Sequence, residues 1–183
     1  METRELIQSG LRNVSRNLDR ILDTLTSAEL EWQPRPDAGS IGLIFFHLTR
    51  YEDVILQGRI QAKTELWESG NWYRKFGKDT GDNGSNYTEE QVAAFVVPKI
   101  EDMLSYAGEV RKATLEYLDG ITSDDFDRKL ALPARPAPPG GRPSGTPRPQ
   151  PTVGSMLLMS VTHSSQHAGE ISYLRGLQRG MDR

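Results

Sequence analysis

Ile7, Leu11, Val14, Leu18, Ile21 and Leu25 recur at steps of 4, 3, 4, 3 and 4, a pattern that suits an amphipathic helix and no strand. It predicts a first helix over residues 3–25. Pro34 and Pro36 oppose any continuation, because proline lacks the helical N–H and restricts the residue before it. Ser40 reads as the N-cap of a second helix over residues 40–62, with Ile41, Ile44, Phe45, Leu48, Tyr51, Val54 and Ile55 on its apolar side. Residues 63–87 read as a long loop. Its Asp82-Asn83-Gly84-Ser85 run is a strong turn signal, and Trp67 and Trp72 are expected to tuck inward.

Thr88 and Gln91 have capping-box spacing, and Val92, Val96, Ile100, Met103, Ala107, Val110, Thr114 and Leu118 carry helical spacing on to Gly120. Pro98 predicts a kink or a frayed first turn in that third helix. Residues 133–151 hold eight of the eleven prolines, and no acidic residue lies between Asp127 and Glu170. The Pro-rich stretch reads as a solvated linker, with a basic flap over an anion or a proline-motif docking segment as alternatives. Thr152 caps a last helix to residue 179, whose inward positions are Met156, Ser160, His163, His167, Ile171 and Leu174. The expectation is an all-α fold: one domain over residues 1–183, a four-helix bundle with long connecting loops.

Composition narrows the function. The net charge of −3 gives no reason to expect nucleic acid as a partner. The apolar runs are far shorter than the roughly 20 residues a membrane span needs, and no secretory leader is visible at the start. The expected setting is therefore cytoplasmic, without a membrane partner. Cysteine is absent, which excludes disulfides, thiolate zinc ligands and a cysteine nucleophile from the chain itself.

Only three histidines occur, His47, His163 and His167. The last two are four apart on one helix and so stand on one face, a turn apart. His47 falls in register with Ile44, Tyr51 and Val54 on the second helix. Neutral imidazoles suit zinc, nickel, iron or copper, and three of them leave coordination positions open. The pair lacks the glutamate of a HExxH protease, because Ser164 follows His163. The competing reading is three core histidines satisfied by ordinary hydrogen bonds.

Glu170 shares the face of His163 and His167 and has three available roles: acceptor for an imidazole N–H, fourth ligand, or base. Tyr51, one turn after His47, reads as a packing residue, with lining of the pocket as the alternative. Glu52, about 140° around the helix from His47, is badly placed to ligate beside it.

The constellation resembles the DinB/YfiT-like metalloenzyme family in three places. The stretch Leu30-Glu-Trp-Gln-Pro-Arg-Pro-Asp-Ala-Gly-Ser-Ile-Gly is similar to that family's lead-in to its second helix. The run from Phe46-His47-Leu48 to Glu52 resembles its histidine motif. The run His163-Ser-Ser-Gln-His167-Ala-Gly169-Glu170-Ile171, with Leu174-Arg175, resembles its C-terminal HxxxHxGQI signature.

The resemblance implies a four-helix bundle in a mirror variant of up-and-down topology, often a homodimer. It also implies a divalent metal, commonly zinc or nickel, on His47, His163 and His167. Characterised relatives include transferases and isomerases that use a low-molecular-weight thiol such as mycothiol, bacillithiol or glutathione. Glu170 stands where the family commonly has glutamine, which places a carboxylate beside the metal.

The functional expectation is a metal-dependent thiol S-transferase acting on an electrophilic small-molecule substrate. Its rivals are a non-catalytic metal- or small-molecule-binding protein, such as a stress-linked interaction module, and a metal-dependent hydrolase.

Overall fold

A computed structural model describes residues 2–131 and 150–180. Most of the Pro-rich stretch at 133–151 lies outside the described residues. Within them the chain is all-α, with eight α-helices and no strand.

Four long elements carry the architecture: α1 (Thr3–Leu22), α3 (Ile41–Asp53) with the π-helical Val54–Ile60 that continues it, α7 (Ile100–Gly120) and α8 (Val153–Arg179). Helix α8 packs on α1 and α3, and α7 packs on α3 and α1, which closes a ring of four. The first two long elements, α1 and α3, therefore face each other across a diagonal. Short helices fill the connectors: α2 (Ser27–Glu31), α4 (Leu66–Ser69), α5 (Trp72–Lys75) and α6 (Glu89–Ala93).

The predicted stripe of α1 is the buried one, at Ile7, Leu11, Val14, Leu18 and Ile21, although the helix stops at Leu22 rather than 25. Ser40 caps α3 as expected, its Oγ accepting from the Leu43 N–H at 3.2 Å. Regular α geometry ends at Asp53, and the wider π turns that follow bury Ile55, Leu56, Gln57 and Ile60 together. Such π turns inside helices often mark functional regions.

The Thr88–Gln91 capping box forms, but the helix it starts is α6 alone. Residues 94–99 straighten before α7 begins, so Pro98 breaks the helix instead of kinking it. The straight segment lays Val97 on α3 at Gly42, where a Cβ would meet the Val97 side chain at 2.4 Å. Packing is thus gained only if the helix stops.

In the connector, α4 and α5 bury both tryptophans, Trp67 completely. Trp67 packs with Phe46, Phe76 and Tyr106 at ring-centroid distances of 5.5, 5.4 and 5.6 Å. Around the Pro-rich stretch, Lys129 and Thr152 form an antiparallel bridge that fixes where the chain enters α8.

The hydrophobic residues form two clusters. One includes Ile7, Leu11, Ile55, Met156 and Leu157; the other includes Val14, Leu18, Leu48, Ala168 and Ile171. On α8, His163 and His167 fall between the two.

Candidate metal centre

The fully buried stripe of α8 runs through Met156, Leu157, Ser160, Ser164, Ala168 and Ile171. His163 and His167, predicted as inward positions, stand at the edge of that stripe and are half-buried, so the point they share lies at the rim of the core. His47 reaches them from α3. Its Nε2 lies 3.2 Å from Nε2 of His163, which lies 3.2 Å from Nε2 of His167. Among the described residues these three form the only group of histidine or carboxylate side chains placed to hold one metal ion.

The far side of each ring tells which nitrogen carries the proton. Nδ1–H of His47 donates to the backbone carbonyl of Asn83 at 2.9 Å, and Nδ1–H of His167 donates to Oε2 of Glu170 at 2.6 Å. Both Nε2 atoms are then bare lone pairs directed at His163. One N–H at most can lie between three such nitrogens, so the cluster is short of positive charge at its centre. Tetrahedral zinc with Zn–N bonds of about 2.0–2.1 Å separates its ligand nitrogens by roughly 3.3 Å. The donor set and its spacing therefore fit a divalent cation.

Burial pushes the His47 imidazole below its ordinary pKa, against the pull of the Asn83 carbonyl. His163 is pushed down to about 4, first by burial and then by the neighbouring His167 and His47. Both rings are neutral at pH 7, the state that ligates.

The loop behind His47 is built for close approach. Gly84 has φ of +71°, and a Cβ there would stand 3.1 Å from Cβ of His47. Asp82 Oδ1 accepts from the Gly84 N–H and the Tyr87 hydroxyl, at 3.0 and 2.6 Å, and Ser85 Oγ lies 3.3 Å from Nδ1 of His47.

Arg50 ties this loop to the bundle. Its Nε donates to the Asp82 carbonyl at 2.9 Å, while its other nitrogens reach Asp53 (3.3 Å), Tyr106 (3.1 Å) and Glu65 (2.7 Å). Sequence reasoning found the turn but not its use as a ring holder, because the acceptor is a backbone carbonyl. Arg50 was also missed. Its only signal was the i,i+3 spacing of Arg50 and Asp53 on a largely apolar helix.

The remaining candidates separate cleanly. Glu170 accepts from His167 on the side of the ring away from the cluster, which is the acceptor position of its three predicted roles. Glu52 turns to α7, bound by Arg111 at 2.6 Å and Thr114 at 2.7 Å, and takes no part. Tyr51 stacks on His163 at a ring-centroid distance of 3.7 Å.

The fold has a solved counterpart in a conserved protein from Enterococcus faecalis, with a TM-score of 0.78 and 22% identity over 97% of each chain. At that identity the likeness speaks for the fold alone. No curated protein matches the chain. The sequence pattern of the DinB superfamily matches residues 11–171, a span that includes all three histidines and Glu170. With that match over most of its length and with its all-α bundle, the chain belongs to the DinB superfamily.

Proposed function

We propose that the protein binds one divalent metal ion, zinc or nickel, through His47, His163 and His167, and that it is a thiol S-transferase acting on electrophilic small molecules. The observation that carries this reading is the convergence of three imidazole Nε2 atoms, two of them aimed by hydrogen bonds from behind. When bound, a divalent cation lowers the pKa of a thiol at its open position, giving a nucleophile near neutral pH.

The chain's own residues have assignable parts. Imidazole ligates as a neutral ring, so His47, His163 and His167 would hold the cation without cancelling its charge. Asn83 and Glu170 hold two of the rings in plane, the arrangement that typically supports metal-bound histidine. Cysteine is absent from the chain, so the reacting sulfur belongs to a cosubstrate. The half-buried rim position leaves room for that cosubstrate and the electrophile to approach. The thiol gives up its proton to water, sulfur forms the new bond to carbon, and the electron pair goes to the displaced group, to the oxygen of an opened epoxide or to the enolate of an unsaturated carbonyl, the last two then taking up a proton.

The test is turnover of an electrophile panel, with epoxides and unsaturated carbonyls, by protein stripped with chelator and reloaded with zinc or nickel. Consumption that needs both metal and an added thiol is the expected result. Turnover with water alone would make the protein a hydrolase, and thermal stabilisation by ligands without turnover would make it a binding protein.

Metal affinity has a pH window set by proton competition. A free imidazole would begin to lose its metal below about 6.5. Since both His47 and His163 are held below that value, occupancy is expected to persist at pH 6 and to be lost toward pH 4. The metal-free protein follows the same sign. The depressed His163 contributes stability that is present above the unfolded value near 6.5 and is lost as pH falls toward 4. Metal content after dialysis at stepped pH checks the first statement, and melting temperature checks the second. Complete loss of metal already at pH 6.5 would contradict the site as drawn.

A further inference from the structure

Two of the three imidazoles are held from behind by hydrogen bonds, and the third is held differently. Nδ1 of His163 is buried and makes no hydrogen bond among the described residues. The ring of Tyr51 lies flat against it instead, with centroids 3.7 Å apart and planes inclined by 17°. Tyr51 is one turn beyond His47 on α3. The same helix thus delivers one ligand and the ring that confines another ligand from α8.

We infer that Tyr51 is a positioning residue for the metal centre: its ring sets the plane of His163 and so aims Nε2 at the point shared with His47 and His167. The inference rests on the metal reading above. An imidazole without a hydrogen bond is free to turn about its Cβ–Cγ bond, and that freedom is lost on ligation. A parallel ring in contact removes the freedom beforehand, because rotation drives the imidazole edge into the tyrosine face. Stacking also responds to charge. A coordinated imidazole is electron-poor, and the electron-rich phenol face attracts it more strongly than the neutral ring. Metal binding and stacking therefore reinforce each other. This is the coupling that Asn83 and Glu170 provide through hydrogen bonds for the other two rings.

A side chain that only filled space would be replaceable by leucine or methionine, whereas a positioning ring would be replaceable only by another ring. Tyr51→Phe, Tyr51→Leu and Tyr51→Met are compared with the wild type. The readouts are zinc affinity by competition with a chromophoric chelator, the visible spectrum of the cobalt-loaded protein, and the imidazole resonances of His163 in the metal-free protein.

Tyr51→Phe is expected to keep the wild-type affinity, the cobalt bands and the upfield ring-current shift of His163. Tyr51→Leu and Tyr51→Met are expected to lose that shift, to alter the cobalt bands and to bind zinc about tenfold more weakly. Metal-free melting temperatures near the wild-type value would separate this effect from unfolding. Should Tyr51→Leu fail to fold, Tyr51→Met carries the same comparison.

Wild-type zinc affinity and cobalt spectrum in a folded aliphatic variant would overturn the role of Tyr51 while leaving the metal site standing. A wild-type protein that binds neither zinc, nickel nor cobalt would instead remove the metal reading itself.

Discussion

Replacing His163 with alanine is expected to leave the protein folded and without stoichiometric metal. His163 occupies the middle of the cluster, with 3.2 Å contacts to both other Nε2 atoms, and among the described residues no other histidine or carboxylate joins that group. Zinc sites in small domains are worth about 10–16 kcal/mol over four ligands. One ligand then carries roughly 3 kcal/mol, a loss of more than a hundredfold in affinity.

The fold should tolerate the change, because the ring is half-buried at the rim rather than central to either hydrophobic cluster. Two measurements check this. Elemental analysis should find metal near one equivalent in the wild type and little in the variant. Zinc at a thousand times the wild-type Kd should stabilise the wild type by about 4 kcal/mol, raising its melting temperature by about 8–16 °C, and the variant by only about 1 kcal/mol, or about 2–5 °C. A variant with wild-type metal content would show that the three rings are not the site.

The second large effect is structural and starts at Arg50. Its guanidinium is 1% exposed, sits 4.7 Å above the Trp67 ring and bonds Asp53, Glu65, Tyr106 and the Asp82 carbonyl. Arg50→Met strands the Asp53 carboxylate, which is wholly buried and whose pKa burial already pushes up. Breaking such a buried pair on one side costs about 3–5 kcal/mol. For a chain of this size that lowers the melting temperature by about 6–20 °C.

Asp53→Asn in the same background removes the stranded charge and keeps an acceptor for one of the two N–H groups, that of Leu66 or that of Trp67, so part of the loss should return. Arg50→Met also frees the Asp82 carbonyl, next to the one that holds His47. Zinc affinity should therefore fall by about tenfold where the protein still folds. Urea denaturation and chelator competition measure the two effects, and a variant as stable as the wild type would refute the first.

What could be read in advance follows the range of each signal. The α1 stripe and the His163–His167 pair are local repeats, and helical geometry converts them directly into faces. Burial of Trp67 and Trp72 is expected from their size, although size does not decide it alone, since Trp32 is exposed. Tyr106 escaped notice because Ala107 beside it fits the same spacing, yet it is Tyr106 that is buried and bonds Asp53 at 2.7 Å.

The break at residues 94–99 depends on Val97 meeting Gly42, a contact across more than fifty residues that no local pattern encodes. The Asn83 carbonyl is a backbone atom, invisible to residue type. Arg50 and Asp53 look like solvent-facing charges until Trp67 and Tyr106 cover them. The three histidines that converge were legible in sequence, whereas the groups that hold their rings in place mostly were not.

The diagonal placement of α1 and α3 bears on when the centre comes into being. Neighbours in chain order are not neighbours in space, so no early hairpin of these two helices can form and persist. The ligands stand 116 residues apart between His47 and His163, and the helix bearing two of them docks on both α1 and α3. Contacts of that separation form late in folding, since a long loop must close first. A newly made chain thus has no competent centre until α8 has been synthesised and seated. On the metal reading proposed above, a cation would be captured at the full three-histidine set only once the bundle is complete.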